Sequence, residues 1–536
     1  MTQKVQDAVR PHNLAVSIGK STLFGIVARL AQVGTRLITI PVVIGHLGLG
    51  GYGIWSIIMT VSAYMRFGSV GMKSAFQKYV AEATGNESFE RVNKLLSTGC
   101  AVMLLLSIVG LIPSALFSKK LAAAAGVPLN FLDAAANSIA ILAFIMLLSN
   151  VGAVYEAIVM GGHRIDLVRK YSTFFSVAEA VAIVFLLRRG YGLTAMTVVM
   201  AISEIGYIGC CYWAAGRLLP QVRLSSQYVH WEEVRELVRF AGSYQLVNVL
   251  EVLYAAILPV TILREFGAAA SGVYAIAQRL AGSAAMLPDA FLHPILSGGS
   301  MVYASGSQET MKRLIAKAYK ITLGLSLLPL GFLSIFGSLM VFAWTGQDDH
   351  SFRLALAIVS LTTLFACFSI LGLVLYRVSG RALLDNIRQI VRIATLLVIA
   401  LFSRHIGFYG VLVGWAVAEF LGMMFMLYAL TATFPGLRFR DLLPDTIRLI
   451  VAIALILGAA VLARYIPLPG TGYPRIDSLL DLAKVGIASL LALWPALSVT
   501  RSVTPAETRA LASVILPKKF RPSLSTADGA GGSSAL

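Results

Sequence analysis

The chain has 536 residues, of which 57% are hydrophobic and 13% charged, and its formal net charge is +18. Because a soluble domain carries about 25% charged residues, this composition excludes a soluble protein and favours one that crosses a membrane several times. Apolar runs of about 18 residues or more recur along the chain, and each is long enough to cross about 30 Å of hydrocarbon as a helix. The predicted fold class is an all-α polytopic membrane protein.

In chain order, these apolar runs predict about fourteen membrane-spanning helices, with a count of twelve as the alternative. The predicted spans are 20–45, 52–75, 95–117, 138–160, 171–188, 192–216, 239–264, 270–297, 317–345, 353–377, 386–404, 408–433, 446–465 and 478–499. The predicted divisions are a cytoplasmic N-terminus (1–19), a first six-helix lobe (20–218), a cytoplasmic linker (219–238), a second six-helix lobe (239–435), helices 13 and 14 (436–500) and a cytoplasmic, partly disordered tail (501–536).

The basic residues predict the orientation of these helices. Of the 44 lysines and arginines, about 30 fall in the even-numbered turns or at the two termini, about nine in the odd-numbered turns and about five inside helices. The counted even-turn residues include Arg377, Arg381, Arg388 and Arg392. Cytoplasmic loops are enriched in lysine and arginine, so both termini are expected in the cytoplasm. The same distribution accounts for most of the net charge, and we therefore expect no nucleic-acid partner.

An internal repeat relates the two lobes. The segment LGLGGYGIWSII, which begins at Leu47, aligns with FGAAASGVYAIA, which begins at Phe266, at an offset of 219. The alignment pairs Gly48 with Gly267 and Gly53 with Gly272. Because each repeat has six helices, an even number, both lobes have the same orientation in the membrane. The repeat therefore predicts a pseudo-two-fold axis along the membrane normal, an arrangement found in transporters.

Ten ionisable residues are predicted to lie deep within the helices, and a charge at the bilayer centre costs roughly 2.5–3.5 kcal/mol on insertion scales. They are Arg29, Arg36, Arg66, Glu156, Glu179, Glu204, Glu251, Arg279, Asp289 and Glu419. At the offset of 219, Arg29 and Gln32 of helix 1 align with Asn248 and Glu251 of helix 7. Each pair belongs to a polar stripe on one helix face. The two stripes predict a hydrated central cavity between the lobes.

Arginine binds oxyanions through its planar, permanently charged guanidinium, so a cavity rich in arginine indicates an anionic substrate. The predicted substrate-binding residues are Arg29, Gln32, Arg36, Arg66, Arg279 and Asn248, and the residues predicted to act in ion coupling or charge pairing are Glu251, Asp289 and Glu204. Structural alternatives stay open. Arg29 and Arg36 would then pair with Glu251 or Glu204, and Arg279 would extend towards the outer surface. Arg66, Glu156, Glu179 and Glu419 would have purely structural roles.

The segment Gly48–Gly53 matches the dinucleotide fingerprint G-x-G-x-x-G, but that fingerprint requires a preceding strand and an acidic residue about 20 positions later. Here an apolar helix precedes it and the next acid is Glu82. We therefore interpret these glycines as a tight turn between two closely packed helices. We expect no nucleotide, cofactor or metal, and we expect the four cysteines to be small core residues.

The segment IGHLGLGGYGIWSIIMTVSAYMRFGSVGMKSAFQKYVAEA resembles the start of the Wzx-type polysaccharide flippases, the polysaccharide transporter family of the MOP superfamily, which also includes lipid II flippases and MATE exporters. The matching features are Leu47-Gly48, Tyr52-Gly53, the pair Gly68 and Gly71, and the run from Lys78 to Glu82. The resemblance implies a V-shaped, two-lobed fold with a basic central cavity. It also implies that Arg29, Arg36, Arg66 and Arg279 bind the pyrophosphate and sugar of the substrate.

The resemblance implies a flippase in the bacterial plasma (inner) membrane that moves a polyprenyl-pyrophosphate-linked oligosaccharide from the inner to the outer leaflet. The product would feed O-antigen, exopolysaccharide or capsule synthesis, with the bilayer and the pathway's polymerase and glycosyltransferases as partners. A lipid II flippase and a MATE-like antiporter are the alternatives within the fold. A membrane glycosyltransferase is disfavoured because the outer turns are short, and a scaffold would not explain the buried charges. We therefore expect no enzymatic activity.

Overall fold

The computed structural model describes residues 34–35, 37–60, 76–77, 79–80, 89–162, 164–304, 308–348, 350–378, 383–434 and 439–502. Eleven helices in this part of the chain are long and apolar enough to cross a membrane. Helices suit that environment because they satisfy every backbone hydrogen bond internally. The prediction of an all-helical, multi-pass membrane protein is confirmed.

The helices are labelled in chain order, with the turns at Gly48 and Gly267 taken as boundaries. They are α1 (37–47), α2 (49–60), α3 (Phe89–Leu116), α4 (Leu129–Gly161), α5 (Ile165–Arg188), α6 (Leu193–Leu218), α7 (231–266), α8 (268–304), α9 (Gln308–Thr345), α10 (Ser351–Val378), α11 (Leu383–Leu401), α12 (Ser403–Thr433), α13 (Phe439–Arg464) and α14 (Pro474–Val499). A short helix, Ser118–Ala124, lies between α3 and α4. Helices α3, α4, α5, α7, α9 and α13 begin several residues earlier than the sequence predicts.

A sharp turn at Gly267 separates α7 from α8. Its φ of 82° and ψ of −179° do not occur in a helix. Trp415 shows that the chain reverses here, because its Nε1 donates a hydrogen bond to the Tyr254 hydroxyl at 2.8 Å and its ring lies 5.7 Å from that of Tyr274. In a straight helix those two tyrosines would be about 30 Å apart.

The other connections at this end of the bundle also contain a glycine in the left-handed region. Among the described residues, the glycines with positive φ are Gly48, Gly126, Gly190, Gly267, Gly346, Gly407 and Gly472. Each lies at the connection between an odd-numbered helix and the even-numbered helix that follows it. At the α11–α12 connection, Gly407 lies just inside the start of α12. We call this end of the bundle the glycine end. The predicted glycine turn at Gly48 is confirmed, since its φ is 72°.

The two repeats contact each other reciprocally at the glycine end. A Cβ added at Gly53 would lie 2.5 Å from the Ala268 carbonyl oxygen, and one added at Gly272 would clash with the Leu49 carbonyl oxygen. At the offset of 219, Gly53 corresponds to Gly272 and Leu49 to Ala268. The contact is therefore the same on both sides, as a two-fold axis between the turns requires. Only residues without a Cβ permit this approach.

Helix packing repeats with a period of six helices. Helices α4 and α6 pack closely in the first lobe, as α10 and α12 do in the second. The pairs α3–α4 and α9–α10 also correspond, as do α5–α6 and α11–α12. Helices α13 and α14 pack against each other and against α9. This arrangement agrees with the predicted pair of six-helix lobes and two additional helices.

The hydrophobic core is continuous at the glycine end and divided at the opposite end. One large cluster joins both lobes, from Ile40 and Leu142 in the first to Val359 and Leu412 in the second. Towards the opposite end, one cluster contains only first-lobe residues, and another contains residues of the second lobe together with α13 and α14. Among the residues that the structure describes, the lobes are therefore packed together at the glycine end, and their core clusters are separate towards the other end.

Candidate functional site

Four of the predicted substrate-binding residues, Arg29, Gln32, Arg36 and Arg66, lie outside the described residues. Asn248 lies in α7, one turn from Glu251. The polar stripe predicted on helix 1 therefore stays a prediction. On helix 7, the structure describes the helix that carries Asn248 and Glu251.

Arg279 and Asp289 are both exposed and lie on α8. They are ten residues apart, which corresponds to about 15 Å along the helix axis. The Arg279 carbonyl oxygen accepts a hydrogen bond from the Ser283 hydroxyl at 2.8 Å. The structure does not bring these two predicted residues together.

Buried charges on α11 are a feature that the sequence prediction missed. Arg388 and Arg392 are only 3% and 5% exposed and lie inside the helix, so their assignment to a cytoplasmic turn is wrong. Arg388 forms an ion pair with Asp385, with 2.7 Å between Nη2 and Oδ1. Asp385, Arg388, Gln389 and Arg392 follow the spacing i, i+3, i+4, i+7. That spacing puts them on one helix face and was the signal available in the sequence.

Arg392 connects α11 to α12 and α7. Its Nη2 forms an ion pair with Glu419 Oε1, and its guanidinium lies 3.8 Å from the centre of the Tyr254 ring. The Tyr254 hydroxyl donates to Glu419 Oε1 at 2.6 Å and accepts from Trp415 Nε1 at 2.8 Å. Glu419, considered in isolation at the sequence level, is therefore part of a buried charged network.

Gln389 extends this network to a predicted residue. Its Oε1 accepts a hydrogen bond from Arg392 Nη1 at 2.7 Å, and its Nε2 donates to Glu251 Oε2. Glu251 therefore contacts α11 through an amide. We name the group Glu251, Tyr254, Asp385, Arg388, Gln389, Arg392, Trp415 and Glu419 the second-lobe network. Both arginines are paired with carboxylates, and the contacts of Gln389 and Arg392 join α11 to α7 and α12.

The first lobe contains a polar cleft between α4, α5 and α6. Its volume is about 320 Å³, and three glutamates line it, one from each helix: Glu156, Glu179 and Glu204. Glu204 Oε1 accepts a hydrogen bond from the Ser149 hydroxyl, which also lines the cleft. We name this the first-lobe cleft. The sequence placed these glutamates on three separate helices, and only the fold brings them together.

Half of the remaining lining of the first-lobe cleft is polar. Ser172, Ser176, Ser203 and Tyr207 contribute hydroxyl groups. In the described residues, no group of three or more histidine, cysteine or acidic side chains has a geometry that would hold a metal ion. The arrangement is therefore suited to hydrogen bonding with a small polar molecule.

Solved structures of membrane transporters align with this fold over most of its length. A multidrug-resistance MATE transporter of the MOP superfamily in an inward-facing conformation aligns with a TM-score of 0.63 at 14% identity, over 74% of this chain and 95% of that one. The lipid II flippase MurJ in an inward-closed conformation aligns with a TM-score of 0.61 at 14% identity, over 88% and 98%.

The chain has the fold of the MOP-superfamily transporters. A third structure, a MOP transporter from Pyrococcus furiosus whose binding pocket is described as reversed in polarity, aligns with a TM-score of 0.56 at 15% identity, over 79% and 96%. Neither protein-family profiles nor curated proteins gave a match. At these identities the likeness concerns the MOP fold, and the substrate has to be inferred from the residues.

Proposed function

We propose that the chain is a flippase that moves a polyprenyl-pyrophosphate-linked oligosaccharide from the inner to the outer leaflet of the bacterial plasma membrane. The observation that supports a transport function most directly is the packing of the lobes. In the described part of the chain they share one core at the glycine end, and the core clusters towards the opposite end belong to one lobe or the other. Two lobes related by pseudo-symmetry and joined at one end suit transport by alternating access.

The distribution of basic residues favours a glycine end that faces outward, because the lysine- and arginine-rich turns lie at the opposite end. In this conformation the pathway is then closed to the outside. Rocking of the two lobes would open the glycine end and close the cytoplasmic end. The lipid tail would stay in the bilayer while the headgroup crosses between the lobes.

The substrate class follows from the arginines on helices 1 and 2 and from the resemblance of that region to polysaccharide flippases. Arg29, Arg36 and Arg66 would bind the pyrophosphate, because guanidinium groups pair with phosphate oxygens in a bidentate manner. Outward movement of negative charge is also favoured by an inside-negative potential, by about 2.3 kcal/mol per charge per 100 mV.

Leaflet exchange of a labelled lipid-linked oligosaccharide in proteoliposomes tests this proposal. The wild-type protein is expected to exchange the lipid, and Arg29→Ala or Arg66→Ala is expected to reduce the rate at least about tenfold, since each removes a charged phosphate contact. The exposed Arg313→Ala serves as the matched control, because Arg313 lies in a surface pair with Glu309. Normal exchange in both cavity variants, with thermal stability unchanged, would rule out the arginine assignment.

A MATE-like antiporter for small organic cations is the second candidate function. The specific observation in its favour is the first-lobe cleft, which gathers Glu156, Glu179 and Glu204. Such a transporter would tolerate loss of the arginines and would depend on these carboxylates. The same set of variants, assayed with an organic cation and with the lipid-linked oligosaccharide, separates the two functions.

A further inference from the structure

We propose that the first-lobe cleft binds one sugar of the transported glycan and that Glu179 and Glu204 select against sugars with a negative charge. This inference rests on the proposed flippase function. It assigns a binding site and a substrate preference to residues of α4, α5 and α6 that are not among the predicted phosphate-binding arginines.

The cleft faces away from the lipid. On α5, the most exposed large apolar side chains are Phe174, Val181 and Phe185, at 65%, 65% and 56% exposure. A helix turns about 100° per residue, so Ser176 and Glu179 lie on the side of α5 opposite these three. The cleft is therefore lined by the side of α5 that lies away from its exposed apolar residues.

The same separation is found on α6. Ile202, Ile205 and Tyr212 are more than half exposed, and they define the apolar outer side of that helix. Ser203 and Tyr207 lie on the opposite side and line the cleft. Two neighbouring helices thus present polar faces to one interior space.

Three serine hydroxyls in the cleft are available to a ligand. Within the described part of the chain, the side chains of Ser172, Ser176 and Ser203 make no hydrogen bond to the protein. By contrast, the neighbouring Thr173 hydroxyl donates to the Arg169 carbonyl oxygen at 2.8 Å, as helical hydroxyls commonly do. These hydroxyls are therefore free to form hydrogen bonds with a molecule that enters the cleft.

The composition of the cleft favours a sugar over a hydrophobic amine. Eight of its twelve lining residues are polar, whereas sites for drug-like ligands have predominantly apolar walls. Carboxylates and serine hydroxyls accept hydrogen bonds from sugar hydroxyls, and the rings of Phe175 and Tyr207 offer apolar surface for the C–H face of a sugar. The volume of about 320 Å³ is at the small end of ligand pockets and suits one sugar rather than a whole oligosaccharide.

The charge of the cleft gives its selectivity. Glu179 and Glu204 line the same cleft from neighbouring helices, so carboxylates at these positions would repel a further negative group placed between them. A phosphate or a sugar carboxylate is therefore disfavoured there, and the pyrophosphate stays with the arginines. The sugar that enters the cleft is neutral or carries an amino group.

Exchange of two matched lipids in proteoliposomes tests the inference. The probes are polyprenyl-pyrophosphate-linked disaccharides that differ only in the terminal sugar, which is glucose in one and glucuronic acid in the other. We expect the wild-type protein to exchange the glucose lipid about tenfold faster. The variant Glu179→Gln/Glu204→Gln should bring the two rates within about twofold, because glutamine retains hydrogen-bonding capacity without charge.

Two further variants make the result specific. Glu90→Gln removes one charge from an exposed surface pair with Lys94 and should leave the ratio of the two rates unchanged. Ser176→Ala/Ser203→Ala should slow exchange of the glucose lipid several-fold without changing any charge. The folding of each variant is checked by its melting temperature in detergent.

The outcomes separate this inference from the proposed function. Equal rates for both lipids in the wild type would overturn the inference while leaving the flippase function intact. Two results together would also overturn the inference: inhibition by tetraphenylphosphonium that depends on the glutamates, and serine variants that do not change exchange of the glucose lipid. They would show that the cleft binds an organic cation. Exchange of neither lipid would overturn both.

Discussion

Arg392 and Glu419 are charged residues in the middle of a membrane-spanning bundle, and each is nearly completely buried, at 5% and 1% exposure. Such charges are tolerated only when they are paired. Their partners come from three helices, with Tyr254 on α7, Arg392 on α11 and Glu419 on α12. The second-lobe network is therefore expected to contribute strongly to the stability of that lobe.

Arg392→Met tests this role. Because the substitution leaves Glu419 buried without its counter-charge, we expect a loss of about 3–5 kcal/mol in the free energy of unfolding. The double variant Arg392→Met/Glu419→Gln should recover part of that loss, since no unpaired charge then stays buried. Chemical unfolding in detergent measures both values.

Arg313→Gln is the control, since it breaks an exposed i,i+4 pair with Glu309 and should cost only about 0.3–0.5 kcal/mol. Equal losses for Arg392→Met and Arg313→Gln would contradict the stabilising role of the second-lobe network.

The sequence predicted that Glu251 and Glu419 lie inside membrane helices, but it did not predict their partners. Tyr254 and Glu419 are 165 positions apart, and local spacing does not relate residues at that distance. Arg388 and Arg392 were missed for a different reason. They lie in the first half of α11, close to a basic turn, where counting charges favours a loop assignment. The first-lobe cleft was missed because its three glutamates lie on separate helices.

The sequence predicted the equivalent turns at the glycine end, but it did not predict that they contact each other. The offset of 219 predicted that Gly48 and Gly267 occupy equivalent turns, and both have positive φ. The direct contact of the two turns was not predicted, because an alignment relates positions without placing them in space. The contact depends on glycine at two positions, where the neighbouring backbone leaves no room for a Cβ.

Gly53→Val is expected to prevent the glycine end from closing, because its side chain would overlap the Ala268 carbonyl and the Gly272 backbone. Ser271, which is 1% exposed, reports the change. In a Ser271→Cys background whose four native cysteines are replaced by alanine, a water-soluble maleimide should label the introduced thiol at least about fivefold faster when Gly53→Val is present.

Gly45→Val is the matched control, since no atom lies within 4 Å of a Cβ at that position, and it should leave the labelling rate unchanged. If Gly53→Val also left labelling slow, the glycine contact would not determine closure.

For the whole molecule, composition and apolar periodicity were sufficient to predict the fold class, because each span must be apolar and long enough to cross the bilayer. The six-helix repeat was recovered from one pair of glycine turns. The conformation was not predictable, since the same helices are compatible with either end closed. The distribution of core clusters shows that the glycine end is closed in this structure, and alternating access requires it to open during transport.

A reversible cross-link at the glycine end tests whether that end has to open for the lipid to be exchanged. A Cβ at Gly50 would lie 3.3 Å from the Ala268 Cβ, close to the separation of about 3.5–4.5 Å typical of a disulfide. The variant Gly50→Cys/Ala268→Cys is made in a chain whose native cysteines are replaced by alanine, and each single-cysteine variant is the control. We predict that oxidation stops exchange of the lipid-linked oligosaccharide and that reduction restores it. An unchanged exchange rate in fully cross-linked protein would contradict alternating access through the glycine end.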